Sequence, residues 1–255
     1  MKRGYYTTEA IILDSKDYSE SDRIITFYTK KYGKLCGIAK GARRSKKRFV
    51  GNLEPSSYLR LLFFQTGKSE LIRVEAATLV EGFNSLRGDI ARFGGACYML
   101  ELSNELTREG IGSRVFFDTL LSFLFLLDKK ESHPFVLNFF EIKALKISGY
   151  LPHLTGCVAC RGELSGEGAF FSCEKGGVLC KRCVGFSGDA LPISSGTAGF
   201  FSMAAKLDVE KIERLVPNPL IMREGERVLT SFIQYQLGKE LKSKNFMEKI
   251  RQGRF

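Results

Sequence analysis

The chain has 255 residues, 44% apolar and 26% charged, a balance that excludes global disorder and predicts one to three folded domains. Seven cysteines are too few for a disulfide-stapled secreted scaffold, and no stretch reaches the ~18 continuous apolar residues of a membrane span. Lys and Arg outnumber Asp and Glu by 39 to 28, a net charge of +11, of which residues 1–80 carry +8.

In chain order, the first eighty residues read as strands. Thr7–Leu13 and Arg23–Thr29 are β-branched and apolar, and Tyr32-Gly33-Lys34 reads as a turn into Leu35–Ala39. Tyr58–Gln65 and Leu71–Val80 follow, split by the hairpin-like Thr66-Gly67-Lys68. Five closely spaced strands predict a small barrel the size of an OB-fold, a common platform for single-stranded nucleic acid. Glu9 and Asp14 stand where a signal peptide needs its apolar core, so the expected compartment is the cytosol, with reduced thiols.

From about residue 85 the period becomes helical. Ile90, Phe93, Cys97, Leu100, Glu101 and Asn104 share one register, ended by Gly110. Ser113 is a candidate cap for the apolar run Phe116–Leu127, expected to be buried. Phe135–Ile147 makes a third helix, closed by Gly149. Residues 150–190 lose periodicity. Ser194 or Ser195 caps a short helix to Ala205; Pro217 and Pro219 break the chain; Arg223–Lys242 is the last long helix, with a charged tail to Phe255.

Six cations, Lys40, Arg43, Arg44, Lys46, Lys47 and Arg48, fall within nine residues at the exit of a predicted barrel strand. A charge run is commonly just a solvated loop. Six like charges also repel one another and attract an anion, and neutralising six single-strand phosphates gives a log–log salt slope of roughly −4. Tyr5, Tyr6, Phe27, Tyr28, Tyr32 and Phe49 are candidate stacking faces, about half of them expected in the core because strands alternate. The acidic group Asp14, Asp17, Glu20 and Asp22 is read as a solvated loop in preference to a nuclease metal site.

Five of the seven cysteines lie within 27 residues. Cys157-x2-Cys160 and Cys180-x2-Cys183, nineteen residues apart, have the spacing of a four-thiolate zinc site. Two thiolates two residues apart grip one cation from a tight turn, and two such turns complete a tetrahedron. The competing reading is a redox dithiol, which lacks its usual βαβ context. Cys173 has no partner in this pattern and is read as a non-ligand; His153 is unnecessary beside two complete pairs. A closed four-thiolate site has no open position, so the zinc is expected to be structural. There is no phosphate-cradling Gly-x4-Gly-Lys-[Ser/Thr] loop, no Gly-x-Gly-x-x-Gly and no His-Glu-x-x-His; His133 and His153 are assigned no catalytic role.

Several segments resemble one family. Glu20–Thr29 (Glu-Ser-Asp-Arg-Ile-Ile-Thr-Phe-Tyr-Thr), Gly33-Lys34-Leu35, Ala39-Lys40-Gly41-Ala42-Arg43 and Leu53-Glu54-Pro55 are similar to the bacterial RecO family of DNA repair proteins. So are Gly149-Tyr150-Leu151-Pro152 and Gly176-Gly177-Val178-Leu179 beside the cysteine pairs, with Cys173 a departure from the pattern. The resemblance implies an α+β multidomain protein. Its parts are a basic, nucleic-acid-binding OB-fold (residues 1–80), an α-helical domain (81–150 and 190–255) and an inserted four-cysteine zinc module (151–189). It implies a non-enzymatic recombination mediator, cytoplasmic and nucleoid-associated, that binds single- and double-stranded DNA and anneals complementary strands. The implied partners are RecR and single-strand-binding protein, with RecF and the RecA recombinase beyond them. An RNA- or ribosome-binding barrel with zinc and a metal-dependent nucleic-acid enzyme are the alternatives in other classes.

Overall fold

In the computed structural model of the protein, residues 1–45, 48–49, 52–67, 71–129, 135–164, 168–212 and 214–253 are described. The strands are β1 (Gly4–Asp17), β2 (Arg23–Thr29), β3 (Gly33–Ala39), β4 (Tyr58–Gln65) and β5 (Ile72–Glu81). Then come helices α1 (Asn84–Arg87), α2 (Ile90–Leu106), α3 (Arg114–Asp128) and α4 (Val136–Ile147). Strands β6 (Ala169–Ser172), β7 (Gly177–Cys180) and β8 (Leu191–Ile193) follow, and then α5 (Ser195–Lys206), α6 (Val209–Ile212), α7 (Pro219–Leu237) and α8 (Lys242–Arg251). The chain divides into two units, Met1–Ser132 with Leu241–Phe255, and His133–Glu240.

In the first unit the strands close into an OB-like barrel in the order β1-β2-β3-β5-β4. Strand β1 pairs with β4 through its first half and with β2 through its second, with an irregularity between Ile12 and Asp14. A bulge bends a strand, so one strand serves both neighbours and closes the sheet. Closure is completed by a parallel contact of β3 with β5, Gly37 opposite Ile72. A Cβ at Gly37 would lie 2.7 Å from Ile72 Cγ1, so the approach requires glycine. Alternation puts Ala10, Ile12, Ile25, Phe27, Leu59, Leu61 and Phe63 in the barrel core. Gly33 has a positive φ of 68°, and a Cβ there would meet the Ile111 carbonyl oxygen at 2.3 Å. The β2–β3 turn therefore rests backbone to backbone on the segment before α3.

The Ser113 hydroxyl accepts from the Phe116 N–H (3.1 Å) and caps α3. The apolar run of α3 is buried on one face only, since Val115 and Phe125 are exposed. The sequence register on α2 selects a line that is half-exposed apart from the buried Leu100: Ile90 is 53% exposed, whereas Gly94, Tyr98, Met99 and Leu102, off that line, are buried. Helix α2 packs against α1, α3, α8 and β1, which buries more than the single stripe that periodicity seeks.

In the second unit β6 lies between β7 and β8, and Phe171 of β6 meets Phe232 of α7 edge-on at 5.4 Å. Helices α4, α5 and α7 pack together through Phe135, Phe139, Phe200 and Phe201. The last helix departs from the expected Arg223–Lys242. Pro219 opens α7 behind an Asn218 cap, which accepts from the Ile221 N–H at 2.9 Å; this proline begins a helix where a break was expected. Gly238, with φ 65°, ends it in the left-handed region, and the expected charged tail forms α8. Among the described residues no helix is long and apolar enough to cross a membrane.

Candidate functional site: a four-cysteine centre and a basic loop

The fold brings Cys157, Cys160, Cys180 and Cys183 together, their Sγ atoms all within 4.8 Å of one another. The first pair sits on a tight turn: the Arg161 N–H donates to Cys157 O (2.8 Å) and the Cys157 N–H to Gly162 O (2.9 Å). The second pair begins at the end of β7, where the Cys183 N–H donates to Cys180 O (3.0 Å). The Val158 N–H donates to Val178 O (2.7 Å) and pins the first turn to β7. His153 contributes through its backbone: its N–H donates to Gly176 O and its carbonyl accepts from the Val178 N–H, each at 2.9 Å. A Cβ at Gly177 would stand 2.6 Å from that carbonyl oxygen, so glycine is needed at this junction. His153 and Cys173 lie outside the four-residue group.

The donor set fits a tetrahedral ion. Zinc–sulfur bonds of about 2.3 Å place the sulfurs of a tetrahedron roughly 3.8 Å apart, and Cys160 Sγ lies 3.9 Å from Cys180 Sγ. Burial pushes the Cys157 thiol up, but backbone N–H groups of Cys160, Cys180 and Ala159 outweigh it and bring it down to about 6. Burial also raises Cys180, and the Cys183 and Arg182 N–H groups reverse it. Cys183 is pushed up to about 12, first by its hydrogen bond with Cys180. Backbone donors therefore favour the thiolate at one cysteine of each pair. Burial, then the Asp189 charge, holds Cys173 at about 11, the state of an inert core thiol.

Of the basic loop, Lys40, Arg43, Arg44 and Arg48 are exposed; Lys46 and Lys47 lie outside the described residues, as do Lys68 and His133. Ala42–Arg44 forms one 3-10 turn after β3. Arg43 lies 3.8 Å from Asp17 and Arg44 3.7 Å from Glu20, both pairs exposed and so weak. Asp22 accepts from the Gly41 N–H (2.9 Å) and the Ser21 hydroxyl, and these bonds hold its carboxyl below the usual range. Asp14 pairs with Lys16 at 2.8 Å. The acidic group thus braces the loop and its surroundings, and among the described residues only the cysteines gather as a metal-ligating cluster. Arg48 donates to Lys40 O (2.8 Å) and stacks over Phe49, its carbon 4.9 Å from the ring centre.

The stacking candidates divide unevenly. Phe27, Tyr28 and Phe49 are buried, and Tyr6 and Tyr32 pack on the barrel core. Tyr5, 64% exposed, presents an open face. Sequence reading missed a second basic group, Lys30, Lys31, Arg60 and Arg114, which meets Glu9 around one cleft. These four cations come from three places along the chain, so no charge run signals them.

A basic OB-like barrel, helices and a four-cysteine knuckle define a class of multidomain proteins built around one barrel and one thiolate centre. Comparison with known families then identifies the chain. Residues 1–83 match the family Recombination protein O N terminal, and residues 87–245 match Recombination protein O C terminal. The chain is 36% identical over 251 residues to the DNA repair protein RecO of Syntrophus aciditrophicus (strain SB), covering 97% of each. It is 35% identical over 246 residues to the DNA repair protein RecO of Myxococcus xanthus (strain DK1622), covering 96% of this chain and 98% of that one. The same protein of Anaeromyxobacter dehalogenans (strain 2CP-C) is 35% identical over 94% of each chain. The chain belongs to the RecO family.

Proposed function

We propose that this chain is a non-enzymatic recombination mediator of DNA repair. It binds single- and double-stranded DNA, anneals complementary strands without nucleotide hydrolysis, and acts with RecR and single-strand-binding protein to load RecA, with RecF as a further partner. It works in the cytoplasm, at the nucleoid. Residues 1–80 serve as the DNA-binding domain. The loop of Lys40, Arg43, Arg44, Lys46, Lys47 and Arg48 holds phosphates, and the helices carry the 151–189 zinc module. One structural zinc held by Cys157, Cys160, Cys180 and Cys183 supplies a cross-link that fixes the two knuckles, and no chemistry of reaction.

The observation that carries this reading is the cluster of exposed cations at the exit of β3 in an OB-like barrel. Cations there neutralise phosphates and release counterions, an interaction independent of base sequence. Annealing needs no chemical step, because base pairing supplies the free energy once two phosphate backbones are screened from each other. The test is a salt titration of binding to single strands, duplex and RNA on one preparation. Arg43→Ala with Arg44→Ala should weaken all sequences about equally and flatten the single-strand salt slope by about 1.4. An unchanged slope would move the phosphate site off this loop, and preference for RNA over DNA would reject the DNA reading.

A further inference from the structure

Strand β1 turns Tyr5, Thr7 and Glu9 to the outside of the barrel. Ile11, the next residue in that alternation, is fully buried on a strand against which α2 packs, whereas Tyr5 and Thr7 are exposed. The open stretch continues across the sheet. Tyr5 stands opposite Phe64 of β4, and Phe64 opposite Arg73 of β5. The Tyr5 and Phe64 ring centres are 4.8 Å apart and tilted by 59°. Arg73 lies 5.3 Å and Arg3 6.0 Å from the Phe64 centre, so guanidinium groups flank the aromatic pair, Arg73 also being ion-paired with Glu75. Leu62, 37% exposed, follows on the same face opposite Thr7.

About 13 Å farther along β1, four residues at ~3.3 Å each, the strip runs into the cleft of Lys30, Lys31, Arg60 and Arg114. Glu9 is the one carboxylate among the residues lining it and pairs with Lys30 at 2.5 Å; Arg114 also lies 3.5 Å from Asp118. Cations thus stand at both ends of an exposed aromatic and apolar strip, Arg3 with the Glu75-paired Arg73 at one end and Lys31 and Arg60 beside the paired Lys30 and Arg114 at the other. This is a different surface from the loop that leaves β3.

We propose that the outer face of β1 and β4 is a track for one single strand of DNA: a base stacks on Tyr5, and backbone phosphates meet the Lys30, Lys31, Arg60 and Arg114 cleft. The proposal rests on the DNA-binding reading above and assigns the strand a path. The chemistry selects this occupant. Aromatic faces accept any unpaired base, and flanking guanidinium and ammonium groups match phosphates. A duplex hides its base faces, so it gains from the cations and nothing from Tyr5.

The chain contains no tryptophan, so Tyr5→Trp places a single tryptophan, excited selectively over the tyrosines, at the platform. In the full-length protein, Tyr5→Trp fluorescence should be quenched by oligo(dT). Tyr5→Ala should weaken oligo(dT) binding about tenfold and change duplex binding by less than twofold. Arg60→Ala should weaken both. An unquenched Tyr5→Trp while labelled oligo(dT) is bound, or wild-type single-strand affinity in Tyr5→Ala, would overturn the track and leave DNA binding at the loop intact. Equal losses on single strand and duplex would also overturn it. Failure of the wild-type protein to bind any DNA would instead reject the proposed function itself.

Discussion

Cysteine spacing fixes which side chains can meet, and short-range backbone bonds decide that they do. The four thiols converge because two tight turns are pinned to β7, one of them through Val158. Binding free energy in such sites is folding free energy. Protein purified without added zinc should therefore carry about one zinc per chain. Cys180→Ser should lose it and unfold the knuckles, with exposure of Cys157 to thiol reagents as the readout. Less than half an equivalent of metal, with all seven thiols freely reactive, would reject the site. Asp189 makes a second residue-scale case. It accepts from the Ser172 (2.6 Å) and Ser187 (2.5 Å) hydroxyls and from the Glu174 N–H (2.8 Å). Its burial opposes ionisation, yet these donors bring its carboxyl to about 2, below the usual 3.8. A carboxyl lowered on folding stabilises above its unfolded value and loses that contribution as pH falls from about 3.8 towards 2. Asp189→Ala should cost about 1–2 kcal/mol locally at neutral pH. Amide exchange at Glu174 and Lys175 should accelerate in the variant, and wild-type protection should drop in that acid window. Protection independent of both the carboxylate and pH would refute the assignment.

Among the elements, α8 shows where sequence reading stops. Its own cap position is Leu241, which offers no side-chain acceptor. Glu101, on α2, accepts instead from the N–H groups of Lys242 (3.1 Å) and Ser243 (2.8 Å) and from the Ser243 hydroxyl. A cap supplied from 141 residues away leaves no local signature. Gly94 completes the docking, since a Cβ there would lie 3.2 Å from Met247 Cγ and 3.3 Å from Ile250 Cδ1. Glu101→Ala should loosen α8 by about 1 kcal/mol, the usual worth of a cap. Faster amide exchange confined to 243–251 is the expected result, and unchanged exchange there would show that packing alone holds the helix. The five strands were legible because each is a short run rich in apolar, aromatic or β-branched residues bounded by turn residues. The α3, α4 and α5 helices were legible from their local caps and stops: Ser113, Ser194 and Gly149. The cysteine centre was legible because its spacing is sequential. The α2 register was not, because packing on several sides erases a single stripe. The Lys30, Lys31, Arg60 and Arg114 cleft was not, because only barrel closure assembles it.

For the whole molecule, charge is the organising quantity. The net +11 is concentrated in residues 1–80, which supply the loop after β3 and, with Arg114 of α3, the cleft beside β1. Excess positive charge concentrates polyanions and speeds their encounter, with a steep dependence on ionic strength. A protein that holds one strand on each of two surfaces lowers the repulsion between them. Annealing of complementary oligonucleotides by highly purified protein, with and without ATP and across a salt series, is the decisive measurement. Annealing should be indifferent to ATP, fall steeply with salt, and be lost in the Arg43→Ala, Arg44→Ala protein. A requirement for ATP, or rates no faster than the protein-free reaction at low salt, would contradict it.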